Sequence, residues 1–600
     1  MHARRLLIPT LAFLIGGGVV LSEVGRAHAK PSDKGDTTQA ESKALAKPKR
    51  VASQIDRLLE KRWRKDKLKV ADRTSDAEFL RRISLDLTGS IPSEEVATRF
   101  LSKGGGDREA LIKELLGSKA YARHMATRWA NLLVGRSYLI RLRGYKRMMQ
   151  NQAARRKMAE RMMGGESKEG MDEGSIDGYG EDNELLTFSE WLERQFSENK
   201  PFDAITSDLI SAEGTPLQNP AVHYMLSFRE GKAPETTGHV MRVFQGLQLQ
   251  CAQCHDDKYE PEWTQRVFWG VTAFFSRTKI RRLPPPGMTR QEARKAGKRG
   301  PFEVFDVERG QARIPAPPGE TGRLVLPEYV TGDVVSPAKG VKRRDELAKI
   351  ITAQDNPYFA RAIVNRVWSF FFERGIIDPV DAINQDDFAL PELMELLEDD
   401  FRRSGYDLQR LVSILIRTKA YHLSSRGEAE GRAESEELFA RMPLRQLSAE
   451  QLFYSVAQAT GIEDVGNGNR RVRRRLEQMK FQLLRQFVVT FGTEDEDGES
   501  VEEGTIPQAL MRLNGRLTND AVRPRPGHPV YDRLFRMTKL DQRINAIYLR
   551  VLSRLPSKTE RKKVRGFLSQ PENRQALRQA TATADVIWAL LNSAEFSLNH

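Results

Sequence analysis

Apolar residues recur at three- and four-residue steps along most of this 600-residue chain. The repeat runs through residues 51–133, for example at Ile55 and Leu58, and returns at residues 188–275 and 343–600. This spacing is typical of amphipathic helices that bury one face. The pattern therefore predicts a mainly α, multi-helical protein with two large helical domains.

A different pattern separates the helical segments. After a run of three prolines, apolar and polar residues alternate, as at Phe302 and Val304, and Gly and Pro interrupt the alternation. A period of two is typical of strands. We therefore predict a Pro-rich loop and a small β insert at residues 281–342, between helical domains at residues 51–280 and 343–600.

The N-terminal domain contains a stretch without apolar periodicity. Residues 136–186 begin rich in Arg, Lys and Met and continue into Gly, Glu and Asp. Such a composition cannot fill a core and is typical of an inserted segment. We predict a mobile basic and Gly-acidic insert there.

Two helix starts are marked by their own residues. Ser93 follows Pro92, and Ser557 is followed three residues later by Glu560. The second pair is a capping box, in which each side chain bonds to the backbone amide of the other residue. Both positions are predicted to begin a helix.

The first 29 residues have the pattern of a secretory signal peptide. Arg4 and Arg5 precede an apolar run at residues 6–21, and Ala27 and Ala29 form a small-residue cleavage site. The run has about sixteen residues, fewer than the ~20 that span a membrane, although a retained anchor stays the alternative. We expect an exported protein of the periplasm or cell envelope, with a linker at residues 30–50 and no transmembrane span after cleavage.

The formal net charge of the chain is +15. An exported protein does not meet genomic nucleic acid, so this charge does not predict nucleic-acid binding. An acidic redox partner protein or an anionic envelope component fits the charge better. Association with a membrane surface is also left open.

The chain has two cysteines, Cys251 and Cys254, and His255 follows the second at once. Cys-x-x-Cys-His is the attachment signature of a c-type haem. Two thiols on one turn can each add to one vinyl group of a porphyrin, and the adjacent imidazole can bind the iron as an axial ligand. We therefore predict haem c on Cys251, Cys254 and His255; no catalytic residue is predicted, and whether the protein is an enzyme is left open.

Other chemistries for the two thiols stay open. In an oxidising compartment they could form a tight disulfide or a redox pair. A thioredoxin-like pair follows a strand, whereas the spacing of Val240, Val243 and Phe244 predicts a helix that runs into the motif. A zinc site usually needs four ligands, and three candidates are clustered here.

A haem iron can take a second axial ligand from elsewhere in the chain. Met288 follows Pro286 and Gly287 in a predicted loop, and His223 is the other candidate. His239 is disfavoured, because on a straight helix it would lie about 24 Å from His255. An open coordination position is the remaining alternative.

Several blocks of sequence together resemble large exported planctomycete-type proteins that pair two domains of unknown function, numbered fifteen forty-nine and fifteen fifty-three. The blocks extend over nearly all of the chain after residue 50. They are Phe79-Leu-Arg-Arg-Ile-Ser-Leu-Asp-Leu-Thr-Gly-Ser-Ile-Pro92, Cys251-Ala-Gln-Cys-His255 with Trp263-Thr-Gln265, Asn365-Arg-Val-Trp368, Leu447-Ser-Ala-Glu-Gln-Leu452, Leu513-Asn-Gly515 and Trp588-Ala-Leu-Leu-Asn592.

The resemblance implies no activity, because the function of these domains is not established. Members are often fused to a separate cytochrome-c-like domain, and this chain has a single Cys-x-x-Cys-His. Many members carry His-Asp-His after the second cysteine, where this chain has His255, Asp256 and Asp257. This departure weakens any metal site that needs two histidines.

Two classes of function follow. The first is an exported mono-haem, c-type cytochrome-like protein that transfers electrons to or from a redox partner. The second is a non-catalytic binding or scaffold protein of the cell envelope, in which Cys251 and Cys254 form a disulfide.

Overall fold

The computed structural model describes twelve segments of the chain, all within one compact unit that spans residues 45–600. The predicted signal peptide lies outside the described residues, as do most of the predicted linker and, except for Arg136, the insert predicted at 136–186. The described segments are residues 45–102, 106–136, 188–229, 232–285, 287–298, 300–335, 340–384, 388–427, 431–461, 522–525, 528–573 and 575–600.

Helices dominate the described residues before the β insert. They are α1 (Pro48–Lys65), α2 (Asp76–Thr88), α3 (Glu94–Leu101), α4 (Arg108–Leu116), α5 (Lys119–Val134), α6 (Phe188–Ser197), α7 (Phe202–Ile210), α8 (Val222–Ser227), α9 (Lys232–Gln245) and α10 (Gln265–Phe275). Four successive starts, α2 to α5, are capped by the side chains of Ser75, Ser93, Asp107 and Ser118, each of which accepts a hydrogen bond from the amide three residues on.

The β insert consists of two small antiparallel sheets. In the first, β1 (Thr278–Arg282) pairs with β2 (Phe302–Asp306), and the short helix α11 (Arg290–Lys295) connects them. In the second, β3 (Ala312–Arg313) pairs with β4 (Leu324–Val325). The alternating pattern therefore did predict strands in this segment.

Helices again dominate the remainder. They are α12 (Arg343–Ile351), α13 (Phe359–Phe372), α14 (Pro391–Arg403), α15 (Leu408–Leu415), α16 (Arg432–Glu437), α17 (Ala449–Thr460), α18 (Pro529–Arg536), α19 (Leu540–Leu552), α20 (Lys558–Leu568), α21 (Ala576–Leu591) and α22 (Ala594–Ser597). Near the end of the chain, β6 (Leu598–Asn599) pairs with β5 (Arg445–Gln446). The prediction of a mainly α, multi-helical fold with a small β insert is confirmed.

Two clusters of buried apolar side chains form the core. The larger cluster takes residues from helices on both sides of the β insert, such as Trp129 and Trp368. The smaller cluster consists mainly of residues from α17 to α22, together with Leu85 and Ile91 from the N-terminal part of the chain. Helix α2 therefore contributes to both clusters, while the predicted domain boundaries at residues 280 and 343 stay predictions.

Helix α2 is buried on all sides from Glu78 to Leu87, although it carries several charged residues. The Arg81 guanidinium reaches the end of the chain, where Nη2 donates to the carbonyl oxygens of Phe596 at 2.7 Å and Glu595 at 3.3 Å. Burial lowers the pKa of Arg81 to about 10, so the group stays charged at neutral pH. Its charge is stabilised by the carbonyl dipoles at the end of the chain.

Arg82 points to a different segment. Its Nη1 donates to the carbonyl oxygens of Tyr421 and Leu423, both at 2.7 Å, and its Nη2 donates to Glu78 at 3.0 Å. The Glu78 carboxylate also accepts hydrogen bonds from Ser424 Oγ at 2.9 and 3.0 Å. The turn at residues 420–425 is thereby fixed against α2.

Asp86 is the third charged residue of α2 that joins distant parts of the chain. Its carboxylate accepts hydrogen bonds at 2.8 Å from Arg445 Nη2, from the Tyr421 hydroxyl and from Asn599 Nδ2. The Asp86 side chain has no exposure, and that of Arg445 is 12% exposed. The ion pair therefore holds the β5–β6 pair against α2 away from water.

Replacing Asp86 with Asn tests this connection. Asp86→Asn leaves the Arg445 guanidinium without a carboxylate in a buried place, and breaking a buried pair costs about 3–5 kcal/mol. We expect the free energy of unfolding, measured by urea denaturation, to fall by about that amount. Glu114→Gln is the matched control, because Glu114 and its partner Arg99 are each about half exposed and the loss should stay below about 1 kcal/mol. Equal losses would show that the buried pair has no special weight.

The buried side chain of His422 makes the stability of the fold depend on pH. The His422 ring stacks on Phe79 with centroids 4.8 Å apart, and Arg108 Nη1 lies 2.9 Å from His422 Nδ1. A guanidinium can only donate, so Nδ1 accepts and the ring is neutral. Burial and the nearby arginines lower the pKa of His422 to about 3.

Below about pH 6.5 the unfolded chain therefore binds a proton at His422. The folded chain does not bind this proton until the pH falls to about 3. Stability that is present above pH 6.5 is lost as the pH falls, at about 1.4 kcal/mol per pH unit for this group. In His422→Asn, urea unfolding measured from pH 6 to 4 should show a slope smaller by that amount. An unchanged slope would mean that His422 titrates normally in the folded protein.

Candidate functional site

Residues 246–249, which lead to the two cysteines, are not helical, in contrast to the prediction from the sequence. Helix α9 ends at Gln245, and Gly246 follows with φ +61°. The Leu247 amide donates back to the Met241 carbonyl at 3.1 Å, as in a helix that ends on a left-handed residue. The expectation that the helix runs into Cys251 is therefore wrong, because Gly246 ends it.

Cys251 lies in a short 3₁₀ helix, Gln250–Gln253, and Cys254 directly follows its end. We call residues 250–254 the cysteine turn. Both thiols are free and exposed. Ala252, between them, is fully buried in the core. The turn is thus anchored by its middle side chain and presents both sulfur atoms at the surface.

Helix α10 fixes the cysteine turn from the other side. Trp269 Nε1 donates to the Gln253 carbonyl at 3.1 Å, and Gln265 Nε2 donates to the Cys254 carbonyl at 2.7 Å. These two side chains occupy carbonyl oxygens that would otherwise lack a helical partner. The sequence pattern does not predict these two hydrogen bonds, because they depend on how α10 packs against the cysteine turn.

His255 is exposed beside the thiols, and its ring geometry is informative. Its Nδ1 lies 2.8 Å from the carbonyl oxygen of Asp256. A carbonyl can only accept, so this contact places the ring proton on Nδ1 and leaves the lone pair on Nε2. That is the tautomer in which a histidine can bind a metal through Nε2.

The acidic residues after the motif organise the loop that returns to α10. Asp256 Oδ1 accepts from the Gln265 amide at 2.8 Å, and Asp257 Oδ1 accepts from the amides of Tyr259 at 2.8 Å and Glu260 at 3.1 Å. Both carboxylates therefore have a local backbone role. The side chain of Tyr259, in contrast, is 83% exposed.

The two candidates for a second axial ligand differ in exposure. His223 lies in α8 and is buried, and burial lowers its pKa to about 4. Met288 is partly exposed in the connection after β1, where its amide donates to the Pro285 carbonyl at 3.1 Å. Both assignments stay predictions.

His239 uses both ring nitrogens inside the protein. Its Nε2 lies 3.1 Å from the Leu132 carbonyl and its Nδ1 lies 3.1 Å from the Tyr224 hydroxyl, so Nε2 donates and Nδ1 accepts. Burial lowers the pKa of His239 to about 3. These hydrogen bonds disfavour it as a ligand, and the straight-helix distance does not apply because α9 ends at Gln245.

Neither a metal cluster nor a membrane span is found in the segments described above. No three or more His, Cys, Asp or Glu side chains come together there in a way that could hold a metal ion. Nor does any helix in those segments have the length and apolar content needed to cross a membrane.

Comparisons with known proteins identify two regions. Residues 54–155 and 143–280 match a family model described as a protein of unknown function (DUF1549), PSCyt2. Residues 343–568 match one described as a protein of unknown function (DUF1553), PSD1. The chain pairs these two regions. The predicted pairing is confirmed, and neither description gives an activity.

No curated protein matches this chain, and neither does any solved structure. The residues of the cysteine turn therefore have to be interpreted from their own geometry.

Replacing Gly246 tests how the cysteine turn is positioned. A Cβ at Gly246 would lie only 2.8 Å from Ile383 Cγ1. The backbone of Gly246 is also left-handed, with φ +61°, which is unfavourable for any residue with a Cβ. We expect Gly246→Ala to lower the free energy of unfolding by about 2–4 kcal/mol, from a left-handed penalty of ~1 and overpacking of ~1–3. Gly405→Ala is the matched control, since Gly405 has φ +67° and no atom within 4 Å of such a Cβ.

The control should lose only about 1 kcal/mol in urea denaturation. In protein made without haem, the rate at which a thiol reagent modifies Cys251 and Cys254 should change in Gly246→Ala alone, because only that change displaces the start of the cysteine turn. Equal losses of stability in the two variants would mean that Ile383 does not fix the end of α9.

Proposed function

We propose that Cys251, Cys254 and His255 attach one c-type haem and that the protein is an exported, mono-haem cytochrome-like protein that transfers electrons. The observation that carries this proposal is the exposure of both thiols on a single turn, with the imidazole next to them. Both sulfur atoms are thus open to the two vinyl groups of one porphyrin.

His255 and Asp256 fit a bound haem in two further respects. The Asp256 carbonyl holds the proton of His255 on Nδ1, so Nε2 is the free donor. A hydrogen bond of this kind to the other ring nitrogen also orients the ring and makes the ligand more basic. When bound, haem supplies an iron that accepts and releases one electron.

The surroundings of the turn would keep the donor atoms in place. Ala252 anchors the turn in the core, while Gln265 and Trp269 hold its carbonyl groups. Covalent attachment lets a protein keep haem without a deep pocket, and an exposed position suits electron exchange with a second protein. The exposed Tyr259 nearby is the type of side chain that often dominates a protein interface.

Export to the periplasm or cell envelope is part of the proposal. It rests on the basic start, apolar run and small-residue site at residues 1–29. Haem attachment of the c type takes place outside the cytoplasm, so location and chemistry agree. The alternative, a scaffold protein with a Cys251–Cys254 disulfide, is an outcome of the experiment below.

The test is expression in a host that matures c-type cytochromes, followed by a reduced-minus-oxidised visible spectrum. We expect sharp haem bands and colour that stays with the protein after denaturation. Cys251→Ser/Cys254→Ser should lose the covalently held colour completely. His255→Asn should keep the colour but alter the spectrum, because the thiols remain and the axial donor is gone.

Tyr259→Phe is the matched control, since it changes an exposed side chain of the same loop without touching thiols or imidazole. Its spectrum should equal that of the unchanged protein. A colourless product with no free thiol would replace the haem proposal by the disulfide scaffold.

A further inference from the structure

Helix α20 is exposed around most of its circumference. Leu568 is its one buried residue. Its start is fixed by the predicted capping box, because Ser557 Oγ accepts from the Glu560 amide at 3.2 Å and Glu560 accepts from the Ser557 amide at 2.7 Å. The helix is therefore well formed while most of its surface faces solvent.

The charge of this part of the chain is strongly unbalanced. Between Leu555 and Arg578 the sequence has seven Lys or Arg residues and two Asp or Glu residues. One of the two acids, Glu560, is bound to Arg554 at 2.7 Å. Few carboxylates are therefore left to balance the cations.

Some of the cations have partners and others do not. Arg565 forms an ion pair with Asp541, from which Arg561 lies at 3.9 Å. Four exposed cations form no ion pair with any residue that the structure describes. They are Lys558, Lys562, Lys563 and Arg578.

Large apolar side chains are exposed beside these cations. Leu555 is 50% exposed, Phe567 37% and Leu577 79%. Lys563 and Phe567 are four residues apart in α20 and therefore share one face of the helix. Scattered apolar residues are common on surfaces, but here three fall within one basic segment.

We propose that this basic apolar surface, formed by Leu555, the exposed face of α20 and the first turn of α21, binds an anionic lipid membrane surface. Unpartnered cations are attracted to lipid phosphate groups, and the effect decays within a Debye length. Lysine stems can lie along an apolar boundary while the ammonium groups stay at the headgroups. Phe567 and Leu577 enter the boundary between headgroups and acyl chains, as in interfacial helices.

The apolar residues are what select a membrane over other anionic partners. A soluble polyanion would engage the four cations but would offer nothing to Phe567 and Leu577. An anionic bilayer satisfies both sets at once. This inference does not depend on haem, because none of its residues belongs to the cysteine turn.

The test is sedimentation of the full-length mature protein with phosphatidylcholine vesicles that contain or lack phosphatidylglycerol. We expect binding to the anionic vesicles, weakened by added salt, and none to the neutral ones. Each neutralised cation should lower the partition coefficient about fivefold, so Lys562→Gln/Lys563→Gln should lower it about 25-fold. Phe567→Ser/Leu577→Ser should also weaken binding while its salt dependence remains.

Lys61→Gln/Lys65→Gln in α1 is the matched control, because these lysines are also exposed, helical and without an ion pair in the segments that the structure covers. It removes the same total charge and should leave binding almost unchanged. Unfolding curves of the two lysine variants should coincide with that of the unchanged protein, since these side chains are exposed. Phe567→Ser/Leu577→Ser removes some covered apolar surface, so its binding is measured under conditions in which its unfolding curve shows it to be folded.

Three results would overturn the proposal. One is an absence of binding, or equal binding to neutral and anionic vesicles. Another is a control variant that loses as much binding as Lys562→Gln/Lys563→Gln, which would indicate net charge alone. The last is equally tight binding to soluble polyglutamate with no effect of Phe567→Ser/Leu577→Ser, which would identify an acidic macromolecule as the partner.

Discussion

Charged side chains on a helix without access to water are the constraint on which this fold depends. Arg81, Arg82 and Asp86 all project from α2, and each must find polar partners inside the protein because an unpaired buried charge costs several kcal/mol. The partners come from far along the chain, at residues 421–424, 445 and 595–599. Folding is therefore complete only when the turn at residues 420–425 and residues 595–599 pack against α2.

The candidate site depends on the same core. Helices α9 and α10 pack into the larger apolar cluster, and residues 246–264 connect them. This connection is held in the core by Ala252 and bound to α10 by the Trp269 side chain. These contacts hold the cysteine turn against the core while its thiols face the solvent. Two exposed thiols and the His255 imidazole are thereby supported by packed helices, which favours the fixed geometry that a cofactor site needs.

Local pattern predicted much of this architecture, including the helices, the strands near Val304 and the capped start at Ser557. The predicted helix ran past Gly246, although a glycine at the end of a periodic segment is itself a local signal for a helix end. The packing of Ile383 on that glycine could not be predicted, because it joins residues remote in sequence. The hydrogen bonds by which Gln265 and Trp269 hold the cysteine turn were not predicted either, because local sequence pattern does not show which residues of a loop and a later helix meet. The block around Asn365 has a structural role, since its side chain bonds to Ile377 and Val380.

In the proposed function, both thiols of the cysteine turn are consumed by one haem. The most direct measurement is the intact mass of the mature, denatured and reduced protein after treatment with a thiol-alkylating reagent. We expect the polypeptide mass plus one haem and no alkyl group on Cys251 or Cys254. The bare polypeptide mass with both cysteines alkylated would contradict it.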